Sequence, residues 1–301
     1  MVAAVIKIIA EGLMTLYTVV VRTSSFSPLT QSAFRAVIIP LTIIPLLLWG
    51  NVFGNAIGNM FSIPWIGIGV INLLHIVSSF EGFKILPTGP AVTLYFLYPL
   101  IAVFLAYTFL NRSITYQALW GIVLAFVGTI IMQYNQNGID TYSNSKEQLT
   151  MNMEGIGWIL LSALTEAILY LFVIAGGSIY DNPFFTTFAL YIWAGIISLG
   201  YLWYVFTPDR ESQGVKQQDP LPSFVSYDTL YLLLANVILG VGGKSLMYAS
   251  ARGLSTGSYA VLSYTGVIFA YIFGLLMGDK LRLNEILGSI LVVIGSIFGG
   301  I

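Results

Sequence analysis

The sequence predicts an all-α membrane protein with ten transmembrane helices arranged as two inverted five-helix repeats. Three observations predict it. Charged residues make up 8% of the chain and hydrophobic ones 57%, with mean hydropathy +0.87, whereas a soluble domain carries about 25% charged residues. Apolar stretches long enough to cross the hydrocarbon core, about 20 residues each, recur along all 301 residues. The halves also echo each other. Glu11 and Glu166 stand 155 residues apart, and so do Pro28 and Pro183. Five spans per half is an odd number, so the second copy enters from the opposite side.

The ten spans fall near 1–22, 28–49, 61–84, 88–110, 114–134, 153–178, 183–206, 227–251, 256–278 and 282–301. Most connections are short, which makes neighbouring helices antiparallel. The two longer polar connections are 135–152, rich in Asn, Gln, Ser and Thr, and 207–227, which holds Pro208, Pro220 and Pro222. The first divides the chain into repeats 1–134 and 153–301, joined by linker 135–152. Further matches support the division. Lys84, Leu86, Thr88 and Gly89 recur as Arg252, Leu254, Thr256 and Gly257, all at an offset of 168. The turn Asn111-Arg112 corresponds to Asp279-Lys280. With a one-residue slip, Gly121 and Gly128 correspond to Gly288 and Gly295, and these glycines are expected to give close helix contacts.

Several function classes are disfavoured. Net charge is −1, so no basic field exists to hold nucleic acid. The absence of cysteine removes thiolate metal sites and cysteine nucleophiles. One histidine, no HExxH or GxSxG spacing and no phosphate-binding glycine loop argue against an enzyme, an ATP-driven pump, a metal site or a cofactor. Lys7 and Glu11 interrupt the first apolar run, so a cleaved signal peptide is not expected.

The candidate site residues are the ionisable and polar groups inside spans. A charge near a bilayer midplane costs at least ~2.5–3.5 kcal/mol on insertion scales and marks function by default. Helix spacing puts Lys7, Glu11, Thr15 and Thr18 on one face of the first span, and Ser162, Glu166 and Tyr170 on one face of the sixth. The two acids suggest a shared midplane site for protons or substrate. The competing account is structural. Lys7 neutralises Glu11 one turn away, and Glu166 is protonated and bonded to Ser162 or Tyr170. Lys244, deep in the eighth span, could balance an acid or bind an anion. Arg35, two turns into the second span, could bind an anion or snorkel to the headgroups; the spacing favours snorkelling or gating. Asn72, His75 and Ser79 share a face of the third span, where His75 is either a proton relay or a packing residue. Tyr95 and Tyr264 are aromatic cavity candidates among many tyrosines that serve packing or interfacial belts.

Three segments resemble the EamA-type branch of the drug/metabolite transporter superfamily. They are Ser27-Pro28-Leu29-Thr30-Gln31-Ser32-Ala33-Phe34-Arg35, the stretch Ala91 to Leu110 with Tyr98-Pro99-Leu100, and Gly278-Asp279-Lys280-Leu281 through Gly288 to Gly295. Asp279 replaces the family's usual Glu, and the first-half turn Leu110-Asn111-Arg112 has no acid. Ala10-Glu11 with Thr15 is locally similar to the first helix of small multidrug resistance transporters. There, a membrane-embedded Glu from each of two antiparallel subunits binds protons or a cationic substrate. The resemblance implies a multi-pass secondary transporter with both termini cytoplasmic, although basic residues in the loops favour the opposite orientation. The expected function is movement of a small polar metabolite or organic cation by alternating access, with protons competing for the acids. An anionic metabolite such as a nucleotide-sugar or organic phosphate is the alternative. A scramblase, receptor or scaffold is the reading from another class.

Overall fold

A computed structural model describes residues 1–86, 91, 94–133, 146–176, 182–206, 226–276 and 283–300. The regular elements among them are all helices, with no strand. In order the helices are α1 (Val2–Thr23), α2 (Pro28–Trp49), the short α3 (Phe53–Asn59), α4 (Ile63–Ile85), α5 (Tyr98–Leu110), α6 (Tyr116–Gln133), α7 (Lys146–Ala175) and α8 (Pro183–Phe206). α9 (Tyr227–Ala235), a π-helical segment (Asn236–Gly243) and α10 (Lys244–Gly253) form one continuous rod. α11 (Thr256–Ser263), α12 (Thr265–Leu276) and α13 (Leu283–Gly300) complete the chain. Among the described residues, seven helical stretches are long and apolar enough to cross a membrane. Three more, Tyr98–Leu110, Tyr116–Ile131 and Ile286–Phe298, are apolar but shorter.

Capping chemistry sets several boundaries. Ser27 accepts from the Thr30 amide and precedes Pro28 at the first helical position, where its missing N–H costs nothing. Ser226 and Ser255 cap α9 and α11 in the same way. α7 begins at Lys146, inside the stretch read as linker. The rest of that linker, most of the loop 207–227, the Thr88-Gly89 match and the Asp279-Lys280 turn lie outside the described residues.

The halves pack reciprocally. α1 lies against α10 and the π segment, as α7 lies against α4. α1 also meets α11 and α12, as α7 meets α5. α2 packs on α8, where a side chain at Gly195 would sit 2.7 Å from the Ala36 carbonyl. α6 packs on α13 through the glycines the repeat pairs. A Cβ on Gly128 would lie 2.6 Å from the Gly288 carbonyl, and one on Gly295 would lie 2.6 Å from the Gly121 carbonyl. Since 121 meets 295 and 128 meets 288, these two equivalent helices run antiparallel.

The fourth and ninth apolar stretches are broken at equivalent places. α5 starts after a turn at Phe96-Leu97, and α11 gives way to α12 at Tyr264. Phe96 and Tyr264 are separated by the repeat offset of 168, and their rings lie 5.9 Å apart.

Candidate functional site

Reciprocal packing brings the polar faces of α1, α2, α4, α7 and α10 together at the centre of the bundle. The two acids sit there, almost fully buried, in separate ion pairs. On α1, Lys7 Nζ lies 2.5 Å from Glu11 Oε1, one turn away, and Tyr98 Oη donates to the same oxygen at 3.2 Å. On α7, Glu166 takes Lys244 Nζ at 3.1 Å from each carboxylate oxygen, and His75 Nε2 lies 3.0 Å from Oε2. Bridging both oxygens holds the carboxylate in place while neutralising it.

Lys244 reaches Glu166 from the first residue after the π segment. A π turn inserts a residue and re-aims the side chains that follow, and such segments are frequent at functional sites. The segment also carries Asn236, whose Oδ1 accepts from the Tyr17 hydroxyl while its Nδ2 donates to the Leu232 carbonyl. His75 is steered from its other nitrogen, since Nδ1 faces the Ser162 carbonyl at 3.2 Å and the Ser162 hydroxyl at 3.3 Å.

Arg35 is buried at 3% exposure instead of reaching for the headgroups. Its Nε donates to Tyr191 Oη at 3.2 Å, and its guanidinium carbon lies 4.2 Å over the Tyr17 ring. Asn72 donates to the Leu190 carbonyl at 2.9 Å, which fixes the backbone beside Tyr191.

A cavity of about 70 Å³, measured as the space open to the centres of water molecules, lies among these groups. That is room for several waters. Seven of the residues singled out in the sequence line it: Glu11, Thr15, Thr18, Arg35, His75, Ser79 and Tyr95. It runs along α1 from Glu11 to Val21 and along α4 from His75 to Phe83, so it extends toward the side opposite the N-terminus. On the N-terminal side of Glu11, buried Lys7 packs on aromatic rings. Lys7 Nζ sits 3.6 Å over the Tyr259 ring, which stacks on Tyr170 at 4.3 Å.

The remaining candidates take other places. Glu166, Lys7 and Lys244 lie behind the wall as ion-pair members. Tyr170 belongs to the stack, and no hydrogen bond joins its hydroxyl to Glu166 as the spacing suggested. Tyr264 lies at the α11–α12 break against Phe96 and Phe126. Reading the sequence missed Tyr17, Phe80, Phe83 and Met247 as lining residues, because an apolar side chain in an apolar span carries no signal of its own.

The break at Tyr264 has a local purpose. It brings Gly266 against α1, where its carbonyl accepts from Thr15 at 3.2 Å. A Cβ there would lie 2.7 Å from Phe96 Cζ and 3.0 Å from Glu11 Oε2. Gly266→Ala is therefore expected to destabilise the protein by about 1–3 kcal/mol, the usual cost of overpacking. Thermal unfolding of the purified variant reads this directly, and an unchanged midpoint would show that Phe96 can swing aside.

The sequence matches the EamA-like transporter family over residues 1–134 and 153–299. The chain belongs to that family. It is therefore an integral, multi-pass membrane protein of a transporter family, and its apolar outer helices face lipid. A solved structure described only as a crystal structure of a protein is similar at 17% identity, with a TM-score of 0.69, covering 99% of this chain and 97% of that chain. That likeness shows a shared fold. Curated proteins give no match.

Proposed function

We propose that this family member is a ten-span secondary transporter that binds a small polar metabolite in the central cavity and moves it by alternating access. The carrying observation is the ionised, partly hollow interior between two halves that pack reciprocally. Three features support inverted repeats and ten spans. The equivalent helices α6 and α13 cross antiparallel through paired glycines. The three shorter apolar helices occupy positions that the repeat requires. The breaks at Phe96-Leu97 and Tyr264 resemble the discontinuous helices that flank midplane sites in inverted-repeat transporters.

The ion pairs change the substrate reading. An organic cation would have to share a carboxylate that already has a cationic partner, Glu11 with Lys7 or Glu166 with Lys244. This favours the anionic alternative over the cationic one. Proton coupling keeps one specific support. His75 lines the cavity and touches Glu166, so it links solvent in the cavity to the second ion pair.

The test is counterflow in proteoliposomes. Saturable uptake stimulated by unlabelled solute on the trans side is expected, and an imposed pH gradient should alter flux in the wild type more than in His75→Gln. Lipid flipping without trans-stimulated solute uptake would instead identify a scramblase. Equal pH responses in both proteins would remove His75 from the coupling.

A further inference from the structure

Among the described residues, the interior holds one more positive than negative side chain. Lys7 belongs to Glu11 and Lys244 to Glu166. Arg35 is buried to the same degree, yet no carboxylate lies within ion-pair distance of it among the described residues. With His75 neutral, the sum over Lys7, Arg35, Lys244, Glu11 and Glu166 is one positive charge. Proteins avoid an uncompensated charge at this depth unless a ligand or partner completes it.

The surroundings of Arg35 restrict what can complete it. The Tyr17 ring covers one face of the guanidinium at 4.2 Å, and the Phe80 ring lies 5.8 Å away. Nε is already used by Tyr191. The two Nη groups form the in-plane edge beyond Nε, and the residue lines the cavity. A guanidinium approached in its plane accepts a planar oxyanion through two parallel hydrogen bonds, a geometry that a lysine cannot supply.

The rest of the cavity defines the body and total charge of the ligand. Phe80, Phe83, Tyr95 and Phe96 make its walls largely apolar and aromatic. Glu11 also lines it, so a second negative charge on the ligand would meet a carboxylate. The small volume limits the ligand to a small body.

We propose that Arg35 forms the anion subsite of the cavity and that the cavity takes an organic monocarboxylate with a small apolar or aromatic body. The substrate class rests on the transporter reading. The subsite itself does not, because binding is measurable without transport.

The experiment is ligand binding to the detergent-purified full chain, by thermal stabilisation and calorimetry. The probes are benzoate, hexanoate, benzamide, benzylammonium, terephthalate and phenyl phosphate. Benzoate or hexanoate should raise the midpoint by mass action, while the amide, the ammonium and the two dianions should not. Arg35→Gln should lose at least about tenfold in monocarboxylate affinity, the change expected when a charge-assisted hydrogen bond is removed. Arg35→Lys should recover only part of it. The ligand-free Arg35→Gln protein should unfold close to the wild-type temperature, because removal of an unbalanced charge offsets the lost Tyr191 and Tyr17 contacts. That outcome separates a binding residue from a structural one.

The proposal is overturned if neither monocarboxylate binds, if Arg35→Gln binds them as the wild type does, or if benzylammonium or a dianion stabilises more strongly. Arg35-dependent binding without any counterflow would leave the subsite standing and remove the transporter reading. Counterflow of a neutral or cationic solute that Arg35→Gln leaves intact would do the reverse.

Discussion

Lys244→Met is expected to destabilise the protein by about 3–5 kcal/mol, the cost of leaving one member of a buried ion pair uncompensated. Glu166 is 1% exposed and uses both oxygens on Lys244. Without the lysine, His75 at 3.0 Å is the ion-pair partner left to that charge among the described residues. The double variant Glu166→Gln/Lys244→Met should recover most of the loss, since no charge is then stranded. Thermal and denaturant unfolding in detergent would give the four corners of the cycle, and strong non-additivity is the expected signature. If the double variant is as unstable as the sum of the singles, the pair is incidental to stability. The Lys7–Glu11 pair should behave more mildly. Its partners share one helix and Tyr98 gives Glu11 a second donor, so Lys7→Met leaves the acid a hydrogen bond.

Gly128→Val or Gly295→Val is expected to prevent assembly of the two halves. In each case the added atoms would meet backbone, which cannot rotate aside as a side chain tip can. The Gly288 carbonyl lies 2.6 Å from a Cβ at 128, and the Gly121 carbonyl 2.6 Å from one at 295. Even alanine should cost about 1–3 kcal/mol at either position, with valine costing more. Gly200→Ala is the control, because a Cβ there meets nothing within 4 Å. The readout is the yield of monodisperse protein together with its unfolding temperature. A Gly128→Ala protein that matches Gly200→Ala would show that the α6–α13 crossing is loose.

Much of this was legible in the chain, for reasons that differ by feature. Composition and span length report the solvent directly, so the helical membrane class follows from counting. The repeat is visible because symmetric packing reuses the same small residues, as at Gly121, Gly128, Gly288 and Gly295. Lys7 with Glu11 is legible because helical spacing alone makes them neighbours. That Lys244 could balance an acid is legible, but not that the acid is Glu166, since 78 residues separate them and a π segment sets the lysine's direction. Arg35 shows the same limit. Spacing puts it two turns inside α2 but does not say whether it points to lipid headgroups or to Tyr17 and Tyr191. Tyr170 shares a face with Glu166 by spacing, yet it packs on Tyr259, because a helix face several residues wide serves more than one neighbour. The breaks at Phe96-Leu97 and Tyr264 had only Pro99 and Gly266 beside them as signals.

The Lys7–Tyr259–Tyr170 stack makes the two halves energetically unequal. The repeat offsets carry Lys7 to Ser162, Tyr170 to Thr15 and Tyr259 to Ala91. Under alternating access, the reversed conformation would close its far side with these three small side chains, where this one has a cation over a ring and a ring on a ring. Those two contacts are worth about 1–3 kcal/mol together, and each 1.4 kcal/mol is a factor of about ten in population. If the proposed alternating access operates, an empty carrier would favour the form with its N-terminal side shut.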